Sequence, residues 1–317
     1  MPDSSKKQSK QKDKRVAEME AGVLELERWL TDLMEQGLAT VEKLPSKQWD
    51  DFAASMHNAK MRGIGNRIKL IKQLFSSDNW PDRMLAELAE LYLFTQAFQR
   101  LDMLNTLQQQ DLLTLAGVNV KKEEVLKGQG VKDHWLVIGQ QFRSEEKLQV
   151  RRTWLLGEKK QDYALILDFS WGNQGFPENW VVGSAIQAEI VYYPASFPQR
   201  ALIKQFEMSA DPFDGFIGYA DFATFAQAYA DAVVANPWLY QFPCLLDQVT
   251  PVYDQGHFIL VDAKRKQIPL SIQDQDGWKT LAISAGRPLK IFGEWDGQTC
   301  FLLSAVYDQR LVNLLPR

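Results

Sequence analysis

VNVKKEEVLKGQGV, residues 118–131, is polar, punctuated by glycine, and divides a chain of 317 residues into two stretches with different periodicities. Before it, apolar residues recur at spacings of three and four; after it, they alternate in short runs separated by turn residues. The division predicts an α+β protein: an N-terminal helical bundle, then a mostly antiparallel β domain holding one inserted helix. The expected boundaries are a disordered basic tail at 1–15, a bundle at 16–117, a linker at 118–130 and the β-rich domain at 131–317.

Upstream of the divide, Met19, Val23, Leu26, Leu30 and Leu33 fall on one helical face, and Gly37 suits a helix end. Ser46 is placed to cap a short helix carrying Trp49, Phe52, Ala53 and Met56 inward. A third helix holds Ile64, Ile68, Ile71 and Phe75. The longest helix is expected from Pro81, burying Leu85, Leu88, Leu91, Tyr92, Thr95, Phe98 and Leu101. The leader MPDSSKKQSKQKDKR has no apolar residue after Met1, so burial cannot offset the entropy of ordering it.

Downstream, LQVRRTWLL and YALILDF flank GEKKQ as a hairpin, and IQAEIVYY and RALIKQF pair across PASFPQ. PLKIFGEW and TCFLLSAVY flank Asp296-Gly297-Gln298, where Asp-Gly tolerates the positive φ of a tight turn. HFILV, from His257, is a further strand. DFATFAQAYADAVVANP, residues 221–237, is the one helix expected here, capped by Asp221 and stopped by Pro237.

With 45% apolar residues the chain is long enough for two cores, and a net charge of -4 disfavours a surface that is electropositive throughout. The lysines of the leader precede no apolar run of signal length, and no stretch reaches about 18 uninterrupted apolar residues, so the expected location is the cytoplasm, with no membrane partner. The two cysteines, Cys244 and Cys300, each stand beside apolar residues, as core thiols do.

No motif assembles a catalytic set. Asp133-His134 lacks a nucleophile or second acid, and His57 and His257 stand alone. Gly63-x-Gly65-x-Arg67 has neither the preceding strand of a dinucleotide fold nor the Lys-Ser/Thr of a phosphate loop, and fits a helix boundary. Arg62, Arg67, Lys69 and Lys72 form a basic stretch that fits the solvated side of a helix, with a weak nucleic-acid patch as the sharper alternative. Asp211, Asp214 and Asp221 lack a calcium-loop pattern and fit turns and caps. No catalytic residue, cofactor or metal ligand is expected. The remaining candidates are Trp171, Phe176, Trp180, Phe213, Phe216 and Tyr219, which fall in two long loop-like segments, 170–180 and 210–219, and are read as interaction anchors or as plugs under loops.

GVLELERWLTDLMEQGLA, WPDRMLAELAELYLFTQAFQRLD, DHWLVIGQQF with RRTWLLGE, AEIVYYPASFPQRALI and IFGEWDGQ occur in that order, and together the chain resembles the body of bacterial SWIM zinc-finger family proteins from about Ala21 onward. The Cys-x-Cys and Cys-x-His pairs that make the finger are absent from this sequence, so the likeness covers only the region downstream of it. What it implies is adaptor or recognition work beside MoxR-type AAA ATPases and von Willebrand factor A proteins. The alternatives are a nucleic-acid-associated protein using a local basic patch, or an enzyme with an unrecognised site.

Overall fold

A computed structural model of the chain describes residues 3–76, 79–145, 148–172, 174–211, 213, 215–308 and 310–315, with side chains from residue 15 onward, Glu145 apart. The chain forms two compact units, Met1–Val120 and Lys121–Arg317.

The first unit is helical: α1 (Asp3–Gln36), α2 (Leu38–Val41), α3 (Ser46–Asn58), α4 (Arg62–Ile71), α5 (Trp80–Phe98) and α6 (Thr106–Ala116). Met19, Val23, Leu26, Leu30 and Leu33 of α1 are all buried, as their spacing requires. Trp29 stacks on Phe52 at 4.2 Å and meets Trp49 edge-on at 5.3 Å, joining α1 to α3. Asn105 accepts from the backbone N–H groups of Leu107 and Gln108 at 3.0 Å, while Gln108 reaches back to Asn105, a reciprocal cap that starts α6.

Four expectations are corrected here. α1 begins at Asp3, so the supposed tail is helical backbone from Asp3 to Arg15, and α1 rather than α5 is the longest helix; Met1 and Pro2 lie outside the described residues. Lysine and glutamine are good helix formers, and extending an existing helix is far easier than nucleating one. Ser46 is the first helical residue, preceded by Pro45, and its side chain caps nothing. Leu85 and Tyr92 are 45% and 46% exposed instead of buried.

The second unit holds α7 (Lys122–Val125) inside the supposed linker, with Val125 buried. Then come β1 (Val131–Glu145), β2 (Leu148–Gly157), β3 (Tyr163–Trp171), β4 (Ala185–Tyr192) and β5 (Arg200–Ser209), which close a barrel in the order β1-β2-β3-β5-β4, with β4 returning to β1. Its one parallel contact joins Leu165 and Ile166 of β3 to Arg200 and Ala201 of β5. This Greek-key order is that of the OB barrel. Trp135, Val137, Leu155, Ile166, Ile186 and Ile190 fill it.

α8 (Phe222–Ala235) leads to β6 (Phe242–Asp254), β7 (His257–Val261) and β8 (Gln267–Pro269), then α9 (Asp274–Ser284), β9 (Leu289–Trp295), β10 (Cys300–Tyr307) and β11 (Arg310–Asn313). The strands form a sheet in the order β11-β10-β9-β6-β7-β8. One face packs with α8 through Phe225, Phe242 and Cys244; the other meets the barrel wall, where Leu245, Phe292 and Leu303 join Leu136, Trp154 and Leu165. Gly139 allows this approach, because a Cβ there would sit 2.7 Å from the Phe292 ring. The predicted hairpins and α8 are present, but a second long helix, α9, corrects the expectation of one inserted helix.

Candidate interaction surfaces

The six aromatic candidates do not form one patch. Trp180 is 6% exposed and lies inside the barrel, 5.0 Å from Phe206. Phe176 covers the buried Arg151, whose guanidinium carbon lies 4.5 Å from the ring centroid. Arg151 donates from Nε and Nη2 to Asp168 Oδ2 at 3.0 and 2.6 Å, and from Nη1 to the Glu178 carbonyl at 2.6 Å. Phe213 and Phe216 pack on the seam between barrel and sheet; Lys290 Nζ lies 4.7 Å above Phe216 and pairs with Asp247 at 3.1 Å. Tyr219 is drawn into β6 by backbone bonds to Leu245 and Asp247, and burial raises its hydroxyl pKa. Only Trp171 stands in solvent, at 60% exposure. The six therefore share no single surface: Trp180 is buried in the barrel, Phe176, Phe213, Phe216 and Tyr219 are partly buried against neighbouring segments, and Trp171 is exposed.

Trp171 instead belongs to a strand face. Successive outward residues of β3 are Tyr163, Leu165, Leu167, Phe169 and Trp171, and the first three pack under the second sheet. Phe169 is 52% exposed. The register sets Arg143 and Phe169 on either side of Val150, and Leu148 beside Trp171, so two bare aromatics share one outer face with two half-buried aliphatics and one cation. Strand alternation gives the shared face from sequence. Which rows the second sheet leaves uncovered does not appear there.

Most of the titratable candidates are engaged by local partners, although His134 Nε2 is buried without a hydrogen-bond partner among the described residues. Asp133 accepts from the backbone N–H of His134 at 2.8 Å and of Lys159 at 3.1 Å, fastening the β2–β3 turn and leaving the imidazole to Glu158, 3.3 Å from His134 Nδ1. His57 Nε2 faces Asn66 Oδ1 at 3.2 Å, and His257 is exposed on β7. Arg67 is held by Glu87 and Glu90 at 2.7 and 2.5 Å, and Lys72 by Asp50 at 3.1 Å, which breaks up the basic stretch of α4. Gly63 and Gly65 mark close packing: a Cβ at Gly63 would be 2.1 Å from the Leu115 carbonyl, and at Gly65 2.3 Å from the His57 ring.

Asp221 caps α8 through Thr224 N–H at 2.8 Å and pairs with Lys264 at 2.5 Å. Asp211 takes part in a turn with Ser209, and Asp214 lies outside the described residues. Cys244 and Cys300 are buried thiols, and Cys244 is pushed up by burial and then by Cys300 beside it. Among the described residues, no three of His, Cys, Asp and Glu are grouped to hold a metal ion. None of their helices is long and apolar enough to cross a membrane.

The molecule is thus of the mixed α+β class, a helical bundle followed by β-sheet structure. Residues 14–116 match the sequence profile of the SWIM-associated four-helix bundle domain, and over that stretch the likeness to the region downstream of the finger holds. No curated protein and no solved structure matches the chain.

Proposed function

We propose that this chain is a non-catalytic interaction module whose barrel receives a protein partner on the outer face at Phe169 and Trp171. The observation that carries this is the pair of half-exposed aromatics fixed one pleat apart on a paired strand, since rigid aromatic anchors supply much of the energy of protein interfaces. The SWIM resemblance supports a MoxR-type AAA ATPase or a von Willebrand factor A protein as the partner. Equilibrium binding of the full chain to each purified candidate tests it. Wild type binds one of them, and the Phe169→Ala/Trp171→Ala double variant binds at least about tenfold more weakly, equivalent to about 1.4 kcal/mol. Binding to neither, or equal binding by the variant, overturns the assignment.

A second reading is single-stranded nucleic acid on the same face. The OB strand order favours it, because such barrels present that wall to oligonucleotides and aromatics there stack with bases. It ranks second because Arg143 is the sole cation in the two exposed rows among the described residues. Oligonucleotide binding that weakens steeply with salt and disappears in the double variant would reverse the order.

A further inference from the structure

The first unit carries an uncovered apolar groove between α1 and α5. The helices run antiparallel, with Glu27 of α1 accepting from the side-chain amides of Gln96 and Gln99 at 2.6 and 2.7 Å. Further along α1, Leu30, Thr31 and Met34 face Leu85, Leu88 and Tyr92 across an open groove of about 340 Å³. Leu30 and Leu88 are its buried floor, while Met34, Leu85 and Tyr92 are each close to half exposed.

The rim is acidic. Glu27 and Glu35 stand one turn either side of Thr31, and Asp82 lies one turn before Leu85. Glu27 is bonded to neutral amides, which leave its charge uncompensated, and Glu35 and Asp82 have no cationic partner among the described residues. By the same spacing Arg28, three residues before Thr31, is the cation of α1 beside the groove among the described residues, so these flanking groups net to about two negative charges; Arg83 lies on the flank of α5 that carries Glu87 toward Arg67.

An apolar trough between two helical ridges seats a third helix, and an acidic rim favours basic residues beside the apolar face of that helix. A second copy docking groove to groove would bring acidic rims together. The leader Lys6–Arg15 supplies cations but no apolar residue. We propose that this groove is a separate interaction site, taking an amphipathic helix of a partner protein whose apolar face is flanked by lysine or arginine. It is independent of the barrel-face proposal, because the residues that test it belong to the other unit.

The probe is a labelled synthetic helix of about 15 residues, roughly four turns, with a leucine face and lysine flanks; its counterpart carries glutamate flanks. Fluorescence anisotropy with the full chain should show the lysine peptide binding at least about tenfold more tightly at low salt, with the difference shrinking as salt shortens the Debye length. Leu85→Asp and Tyr92→Asp should each weaken it about tenfold or more. Thr31→Arg, at an exposed position that leaves the core untouched, should weaken the lysine peptide and not the glutamate one. Circular dichroism confirms that each variant is folded. Equal affinity for both peptides, binding of neither, or no effect of the groove variants overturns the proposal, as does sedimentation showing a dimer that Tyr92→Asp dissociates.

Discussion

At the scale of single residues, Asp221 shows how local chemistry fixes both a helix start and a pH response. Its carboxyl is held down to about 2, first by the Lys264 ammonium and then by the Thr224 N–H, while Asp221 in turn raises Lys264. A carboxyl depressed by folding stabilises the protein above its unfolded value of about 3.9, and that contribution is lost as pH falls toward the folded value. The raised lysine acts oppositely, contributing below its unfolded value of about 10.4 and losing that contribution as pH rises beyond it. Asp221→Asn keeps a good cap and removes the charge. Melting temperatures measured between pH 2 and 7 should show wild type above the variant near neutrality, with the gap closing toward pH 2; a constant offset would contradict this account. The cap was legible because an N-cap aspartate acts within three residues of itself. Whether an aromatic plugs or protrudes is set by distant segments, so Trp180 and Trp171, nine positions apart in sequence, look alike there yet end at 6% and 60% exposure.

Elements were legible where pattern and burial coincide. The hairpins β2–β3, β4–β5 and β9–β10 combine alternation with turn residues, and α8 carries an apolar face. α9 was illegible because its buried side is Asp276, Gly277, Thr280 and Ser284, with Gly277 pressed against the Phe258 ring and Trp278 left half exposed. Such a face has no apolar periodicity to read. β6 was obscured by Pro243 and Pro251, yet its first half pairs with β9 and its second with β7, so each proline sits where the strand has only one ladder partner. The packing of α4 on α6 was also hidden: Gly63 meets the Leu115 carbonyl, and Gly117, at φ +100°, closes α6 against Gly63. Gly63→Ala should cost about 2 kcal/mol, because the obstructing atoms are backbone and cannot swing aside. Gly175→Ala, with nothing within 4 Å, should stay within about 0.5 kcal/mol. Urea unfolding of both decides it, and a silent Gly63→Ala would mean that α4 and α6 do not approach this closely.

At the scale of the whole molecule, the change of periodicity after Gly117 gave the two-part organisation, whereas the closure of the barrel depends on the return of β4 to β1, pairing residues 49 to 59 positions apart, and leaves no local mark. The first unit has a core of its own, built on Met19, Leu26, Trp49, Ile64 and Phe94, and its α1–α5 and α4–α5 ties all lie within Met1–Val120. A segment with its own core and internal polar ties should fold when expressed alone. Residues 1–120 should therefore give a helical circular-dichroism spectrum and one cooperative urea transition, with a slope of about 1–3 kcal/mol/M. Trp49 is fully buried, so tryptophan fluorescence should report the same midpoint as ellipticity. A gradual, non-cooperative loss of helix in that fragment would show that the bundle depends on the β-rich unit and is not an autonomous domain.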